Sequence, residues 1–162
     1  MSTIEKKSLK VGKYVNNDHV DTVIRNYKQE RWAQNSERIG KEDSLSAWYS
    51  VEELEELMEK VKLNGGNGIR MYFAAYPKNY TEVPEYAGRQ TLVLVATKTK
   101  KIGDRLAHKE IYTSQEGGAP QILAYNMAGL CPPFCEPAGG IGGHRSIGVA
   151  IVDNGEKGMS VI

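Results

Sequence analysis

The residues best equipped for chemistry lie between Gly129 and Arg145, in the stretch GLCPPFCEPAGGIGGHR. It holds both cysteines, Cys131 and Cys135, together with His144, three of the six prolines and five of the seventeen glycines. The Cys-x-x-x-Cys spacing is one residue longer than the C-x-x-C of zinc ribbons and thioredoxin-like sites. Pro132 and Pro133 bar a regular helix and remove two amide donors that could otherwise tune a thiolate. Four chemistries compete. The leading one is structural: two small thiols packed in a rigid corner, since free cysteine is among the most buried residue types. The second is metal binding, with Cys131, Cys135 and His144 as ligands for zinc. A structural zinc site needs a fourth ligand, which His19, His108 or a carboxylate would have to bring from afar. The third is redox, by a Cys131–Cys135 disulfide, if the prolines bring the Cα atoms within about 6–7 Å. The fourth is nucleophilic attack by one cysteine with His144 as base, for which the sequence has no local signature.

The glycines of the same stretch fail both nucleotide patterns. From Gly139 a P-loop would need Gly and Lys where His144 and Arg145 stand, and the dinucleotide pattern from Gly140 and Gly142 meets Arg145 at its third glycine. What remains is a glycine-lined anion nest ending in His144 and Arg145, or, more plainly, a linker into a terminal hairpin.

A second group of polar residues sits on a strand. In Gly68–Tyr76, GIRMYFAAY, alternation sends Ile69, Met71, Phe73 and Ala75 to the core and Arg70, Tyr72 and Tyr76 to the opposite face. Arg89 follows in the long loop 77–90, of a length that often carries function. Arg70, Tyr72, Tyr76 and Arg89 are therefore ligand-facing candidates. The structural alternative is a half-exposed sheet face with an arginine stacked on tyrosine.

The elements that must position these residues follow from periodicity. Asn17 and Asp18 suit an N-cap, and Val20, Val23, Ile24, Tyr27 and Arg31 form one stripe of a helix to about Asn35. Segment 36–44 is polar and reads as a loop. Leu45–Tyr49 is a short strand. Ser50 opens a capping box with Glu53, followed by the stripe Val51, Leu54, Leu57, Met58 and Val61. The glutamates of that helix form a solvated face near its N-terminus, where the macrodipole favours negative charge. Asn64-Gly65-Gly66 stops the helix. Thr91–Thr97 is a central strand, and KTKK at 98–101 an exposed strand end. Weaker strands are expected around Lys109–Thr113 and Gln121–Met127. Ser146–Asp153, Asn154-Gly155 and Lys157–Ile162 form a hairpin. Residues 45–76 make a β-α-β unit that could place two strands parallel.

The order of these elements, with Gly68-Ile69-Arg70-Met71-Tyr72 and Cys131-Pro132-Pro133-Phe134-Cys135, resembles a loose group of small uncharacterised bacterial proteins. These carry a Cys-Pro-Pro-x-Cys motif near the C-terminus. The resemblance covers residues 17–135 and implies an α+β fold but no activity. This chain departs from the pattern in having 27 residues after Cys135.

Composition sets the remaining limits. The chain has 162 residues, 40% hydrophobic and 25% charged, with a net charge of +1. That size suits one core. The near-neutral balance gives no field to gather nucleic acid or an anionic membrane, and Lys6, Lys7, Lys10 and Lys13 read as a solvated tail. No apolar run reaches the roughly 18 residues of a membrane span. The N-terminus has no apolar signal core, so a cytoplasmic setting is expected. The sequence thus predicts a lead-in at 1–16 and one α+β domain at 17–162. Its sheet is mostly antiparallel or mixed, with two amphipathic helices on one face and a C-terminal β-hairpin. The expected function is a non-catalytic binding or interaction module for a protein or small-molecule partner. The alternative is a metal-binding or thiol-redox protein. A terminal edge strand could also pair between chains.

Overall fold

The computed structural model describes residues 9–114 and 116–135, and the strand backbones at 145–146, 151–153 and 159–161. His144, the glycines at 139–143 and the Asn154-Gly155 turn lie outside the described residues.

The first helical stretch runs further than its stripe suggests. Helix α1 (Asn17–Tyr27) continues through a π-helical turn (Lys28–Trp32) into α2 (Ala33–Ile39), so the polar segment 36–44 is a loop only after Gly40. Its N-cap is Asn16, one residue earlier than expected, whose side chain accepts from the His19 amide at 3.0 Å. Gly40, at φ 73°, ends α2 in the left-handed conformation that glycine adopts without a Cβ clash. Helix α3 (Val51–Leu63) has the expected capping box. The Ser50 hydroxyl accepts from the Glu53 amide at 3.1 Å, and the Glu53 carboxylate accepts from the Ser50 amide at 2.9 Å. At its other end the Gly66 amide donates to the Val61 carbonyl and the Gly65 amide to the Lys62 carbonyl. This is the paired closure of a Schellman motif, with Gly65 left-handed at φ 78°.

The main sheet is antiparallel. Strand β2 (Gly68–Ala75) pairs with β3 (Gln90–Ile102) from Gly68↔Thr97 to Ala75↔Gln90. Beyond that ladder β3 turns at Gly103-Asp104 into β4 (Arg105–Glu110), so the KTKK segment is the exposed strand end expected, paired there with β4. On the same side of β3 as β4, β7 (Ala124–Tyr125) pairs at Leu94 and Val95. Strands β5 (Tyr112–Thr113) and β6 (Gln121–Ile122) form a short ladder of their own. Strand β1 (Ser46–Trp48) pairs antiparallel with β8 (Gly129–Cys131), not with β2, so residues 45–76 contain no parallel crossover. Strands β10 (Ile151–Asp153) and β11 (Met159–Val161) form the C-terminal hairpin, and β9 (Arg145–Ser146) adds to β10. The architecture is α+β.

Helix α3 packs Leu57 and Val61 onto Leu94, Ala96 and Leu123, with Ile69 and Tyr125 at the margin. A second cluster gathers Tyr76, Tyr86, Ala128 and Leu130, and Tyr49 touches both. Leu94 and Leu130 are the fully buried anchors, each worth roughly 1.5–3 kcal/mol of transfer free energy. No described helix is long and apolar enough to cross a membrane.

Candidate functional site

The cysteine corner is closed. Cys131 and Cys135 form a disulfide with Cα atoms 4.7 Å apart, and the Cys131–Pro132 and Pro132–Pro133 peptide bonds are both cis. The corner is held at both ends by backbone: the Leu45 amide donates to the Cys131 carbonyl at 2.8 Å, and the Phe134 amide to the Leu130 carbonyl at 3.0 Å. Beneath it lies a tyrosine cluster. Tyr86 is buried; its hydroxyl donates to the Ala128 carbonyl at 2.9 Å and accepts from the Leu130 amide at 3.2 Å. The Phe134 ring, half in solvent, lies 5.7 Å from that of Tyr86. Tyr76 stacks on Tyr86 and meets the tilted ring of Tyr80, and the Tyr76 and Tyr80 hydroxyls both point at the Met127 sulfur, at 3.5 and 3.0 Å. Met127 stands at φ 76°, unusual outside glycine. In this state both cysteine sulfurs are taken up by each other. Among the described residues no group of three or more His, Cys, Asp or Glu side chains could hold a metal ion.

The four ligand-facing candidates do not share one surface. Arg70 and Tyr72 do lie together: Arg70 pairs with Glu110 and donates to the His108 carbonyl at 2.8 Å. Tyr72 donates to the same Glu110 carboxylate at 2.6 Å. The Tyr72 hydroxyl and the Arg70 cation both hold the Glu110 carboxyl below its ordinary range. The guanidinium also sits 6.0 Å from the Tyr72 ring centre. This is the stacked, paired sheet face named above as the structural alternative. Tyr76 is instead buried in the aromatic cluster, donating to Asn126 at 2.9 Å. Arg89 is buried too, and spends its donors on the Glu42 and Glu85 carbonyls. Burial pulls its guanidinium down, against the pull of Asp43 and Glu85. It ties two loops together.

The structure brings a different set of residues together. Ile69, Met71 and Phe73 share a sheet face with Leu92, Leu94 and Ala96, their register partners on β3. Helix α3 covers the β3 residues and Ile69, but β2 overhangs at the sheet edge. Phe73 is consequently 83% exposed and Met71 57%, although alternation had assigned both to the core. The helical stretch does not close the gap, for no residue of α1 is buried. A cleft of about 240 Å³ remains, lined by Val23, Ile24, Leu45, Ala47, Phe73 and Leu92. A second cleft, of about 560 Å³, shares Phe73 and Gln90 with the first and continues past Ala75 and Tyr76. Its far walls carry Arg38 and Lys78. Together they form one groove, apolar beside α1 and lined beside α2 by Arg38, Lys78 and Asp43.

A buried carboxylate holds the wall of this groove. Asp43, 3% exposed, accepts from the Gln90 amide at 2.7 Å, the Ser44 amide at 2.8 Å and the Asn35 side chain at 3.2 Å. Its own amide donates to Ser36 and its carbonyl accepts from the Trp32 indole at 2.7 Å. Tyr27 donates to the Gln90 side chain, and burial, reinforced by Asp43, raises its phenol. In the π-helical turn Lys28 buries its stem and carries its ammonium 5.4 Å from the Trp32 ring centre. Asp43 and Trp32 were not legible as site residues. Asp43 stands in a polar run that reads as loop, and nothing local announces its burial.

No family model, no curated protein and no solved structure matches this chain.

Proposed function

We propose that this protein is a non-catalytic binding module and that the groove over Phe73 is its recognition surface. The observation that carries the reading is a core-face phenylalanine left 83% exposed at the centre of an apolar cleft. A partner that covered such a ring would gain roughly 1.5–3 kcal/mol from that one side chain. Elsewhere the polar clusters are self-satisfied: the Arg70–Tyr72–Glu110 and Asp43 groups pair internally, and no described buried side-chain polar atom lacks a partner. The test is a titration with anilinonaphthalene sulfonate, an apolar anion suited to a groove with Arg38 and Lys78 at one end. One saturable site is expected, lost in Phe73→Ser while the thermal midpoint holds. A Phe73→Ser protein that binds the probe like the parent overturns the assignment.

The second reading is a thiol-redox role for Cys131 and Cys135, favoured by their closed disulfide across a four-residue separation. A loop this short constrains the unfolded chain by about 2 kcal/mol in the chain-entropy treatment. Mild dithiol reductant should therefore release two thiols and lower the urea midpoint. Two thiols titrating in protein never exposed to reductant would count against it. The zinc alternative needs those thiols reduced, with His144 as third ligand; metal content per chain, measured after purification without chelator, decides it.

A further inference from the structure

We propose that β2 is a docking edge for an extended peptide, which adds as an antiparallel strand and seats an apolar side chain against Phe73 and an acidic side chain near Arg38 and Lys78. The inference rests on the groove reading above and names its ligand. Three observations converge. First, among the described residues β2 pairs with β3 alone, so the row of backbone groups along its outer edge is open. Secondly, the residues of β2 itself supply none of the usual guards. Its sequence, GIRMYFAA, contains no proline, lysine or carboxylate, and its arginine is drawn across the sheet to Glu110. Thirdly, the groove is asymmetric in charge: its apolar part lies by Phe73, and its far part carries Arg38 and Lys78, both exposed, while the Asp43 carboxylate of that part is buried and taken up by the Gln90 and Ser44 amides and Asn35. Among the described residues no ion pair engages either cation.

Geometry turns this into a motif. Every described strand pair is antiparallel, and an added strand continuing that pattern runs opposite to β2. Its residue facing Phe73 lies on the groove side, and earlier residues run toward Pro77 and Lys78. With side chains alternating, the acidic residue falls about two to four positions before the apolar one. A second copy of the chain satisfies this poorly. β2 carries no acidic residue, so β2-to-β2 pairing leaves Arg38 and Lys78 without a counter-charge.

The probe is a short acetylated, fluorescein-labelled peptide of alternating threonine and leucine with aspartates at its N-terminal end, followed by anisotropy. Two further peptides carry backbone N-methyl groups on alternate residues, one on each set. Strand addition predicts that one methylated peptide binds about tenfold more weakly or worse, while the other binds like the parent peptide, because only alternate amides face β2. Arg38→Glu with Lys78→Glu should weaken the aspartate peptide and favour a peptide with lysines in those places. Equal binding of both methylated peptides overturns strand addition. So does indifference to the charge swap, or a β2-paired dimer in sedimentation that the peptide does not dissociate. If the peptide fails while anilinonaphthalene sulfonate still binds at Phe73, strand addition falls and the groove remains a binding site; if both fail, both fall.

Discussion

Asp43→Ala removes the one acceptor shared by three donors at the groove wall. The amides of Ser44 and Gln90, at 2.8 and 2.7 Å, lose their partner in a site that is 3% exposed. The Asn35 amide, at 3.2 Å, can turn toward solvent and loses less. An orphaned buried amide costs about 1–3 kcal/mol. Removing the carboxylate also removes its own desolvation cost, which places the net loss near the lower end, at about 3 kcal/mol for the site. With a urea slope of about 2 kcal/mol/M, the midpoint should fall by about 1.5 M. Asp43→Asn is the control. Its Oδ1 can keep both backbone amides, and Asn35 can rotate to present its oxygen, so a loss of only about 1 kcal/mol is expected. Equilibrium urea unfolding, followed by tryptophan fluorescence, reads both; Trp32 donates to the Asp43 carbonyl and reports directly on the wall. A midpoint shift under about 0.5 M for Asp43→Ala, or equal damage from Asp43→Asn, would refute the view that this carboxylate is the joint between α2 and β3.

Other changes have equally definite outcomes. A Cβ on Gly66 would meet Val61 Cγ1 at 2.6 Å, Ile111 Cδ1 at 2.7 Å and the Thr97 carbonyl oxygen at 3.0 Å. Gly66→Ala should therefore cost about 1–3 kcal/mol in urea unfolding, and an unchanged midpoint would show that the corner is looser than described. Tyr86→Phe leaves the Ala128 carbonyl and the Leu130 amide without their phenol. That loss of about 1–2 kcal/mol should lower the thermal midpoint by about 3–8 °C; a shift under a degree would mean that both groups find other partners. Glu53 and Glu110 are both held below the usual 4.5, the first chiefly by the Ser50 amide and the second chiefly by the Tyr72 hydroxyl. Their contribution is present above the unfolded value and disappears as pH falls through the folded ones. Stability should decline below about pH 4.5, with a shallower slope in a Glu53→Gln, Glu110→Gln protein. Identical slopes in the two proteins would remove these carboxylates from the account.

Much of the local chemistry was legible. The Ser50–Glu53 box, the Gly65-Gly66 stop and the existence of strands β2 and β3 each depend on residues a few positions apart, on alternation or on a short apolar run, whereas the pairing of β2 with β3 did not show in the sequence. The α+β class followed from them. The cysteine spacing left packing, metal, redox and nucleophilic chemistry open, because nothing in a five-residue string says where the chain is carried next. The four ligand-facing candidates also illustrate the limit. Arg70 and Tyr72 share a face because alternation requires it, but Tyr76 obeys the same alternation and is buried, covered by Tyr80 and Tyr86 from the following loop. Arg89 was visible as a charged loop residue; that two carbonyls would capture it depends on Glu42, 47 positions away.

The groove shows the division most plainly. Alternation by itself determined that Ile69, Met71 and Phe73 share the apolar face of their strand, because successive side chains of a pleated backbone must point to opposite sides. Whether that face is covered was a tertiary matter. It depended on β2 being the edge of the sheet and on α3 reaching Ile69 but not Phe73. It depended also on α1 and α2 standing off far enough to leave a cleft. Burial is a property of what arrives from elsewhere in the chain, and so only the folded structure could show that Phe73, on the apolar face of its strand, is left 83% exposed.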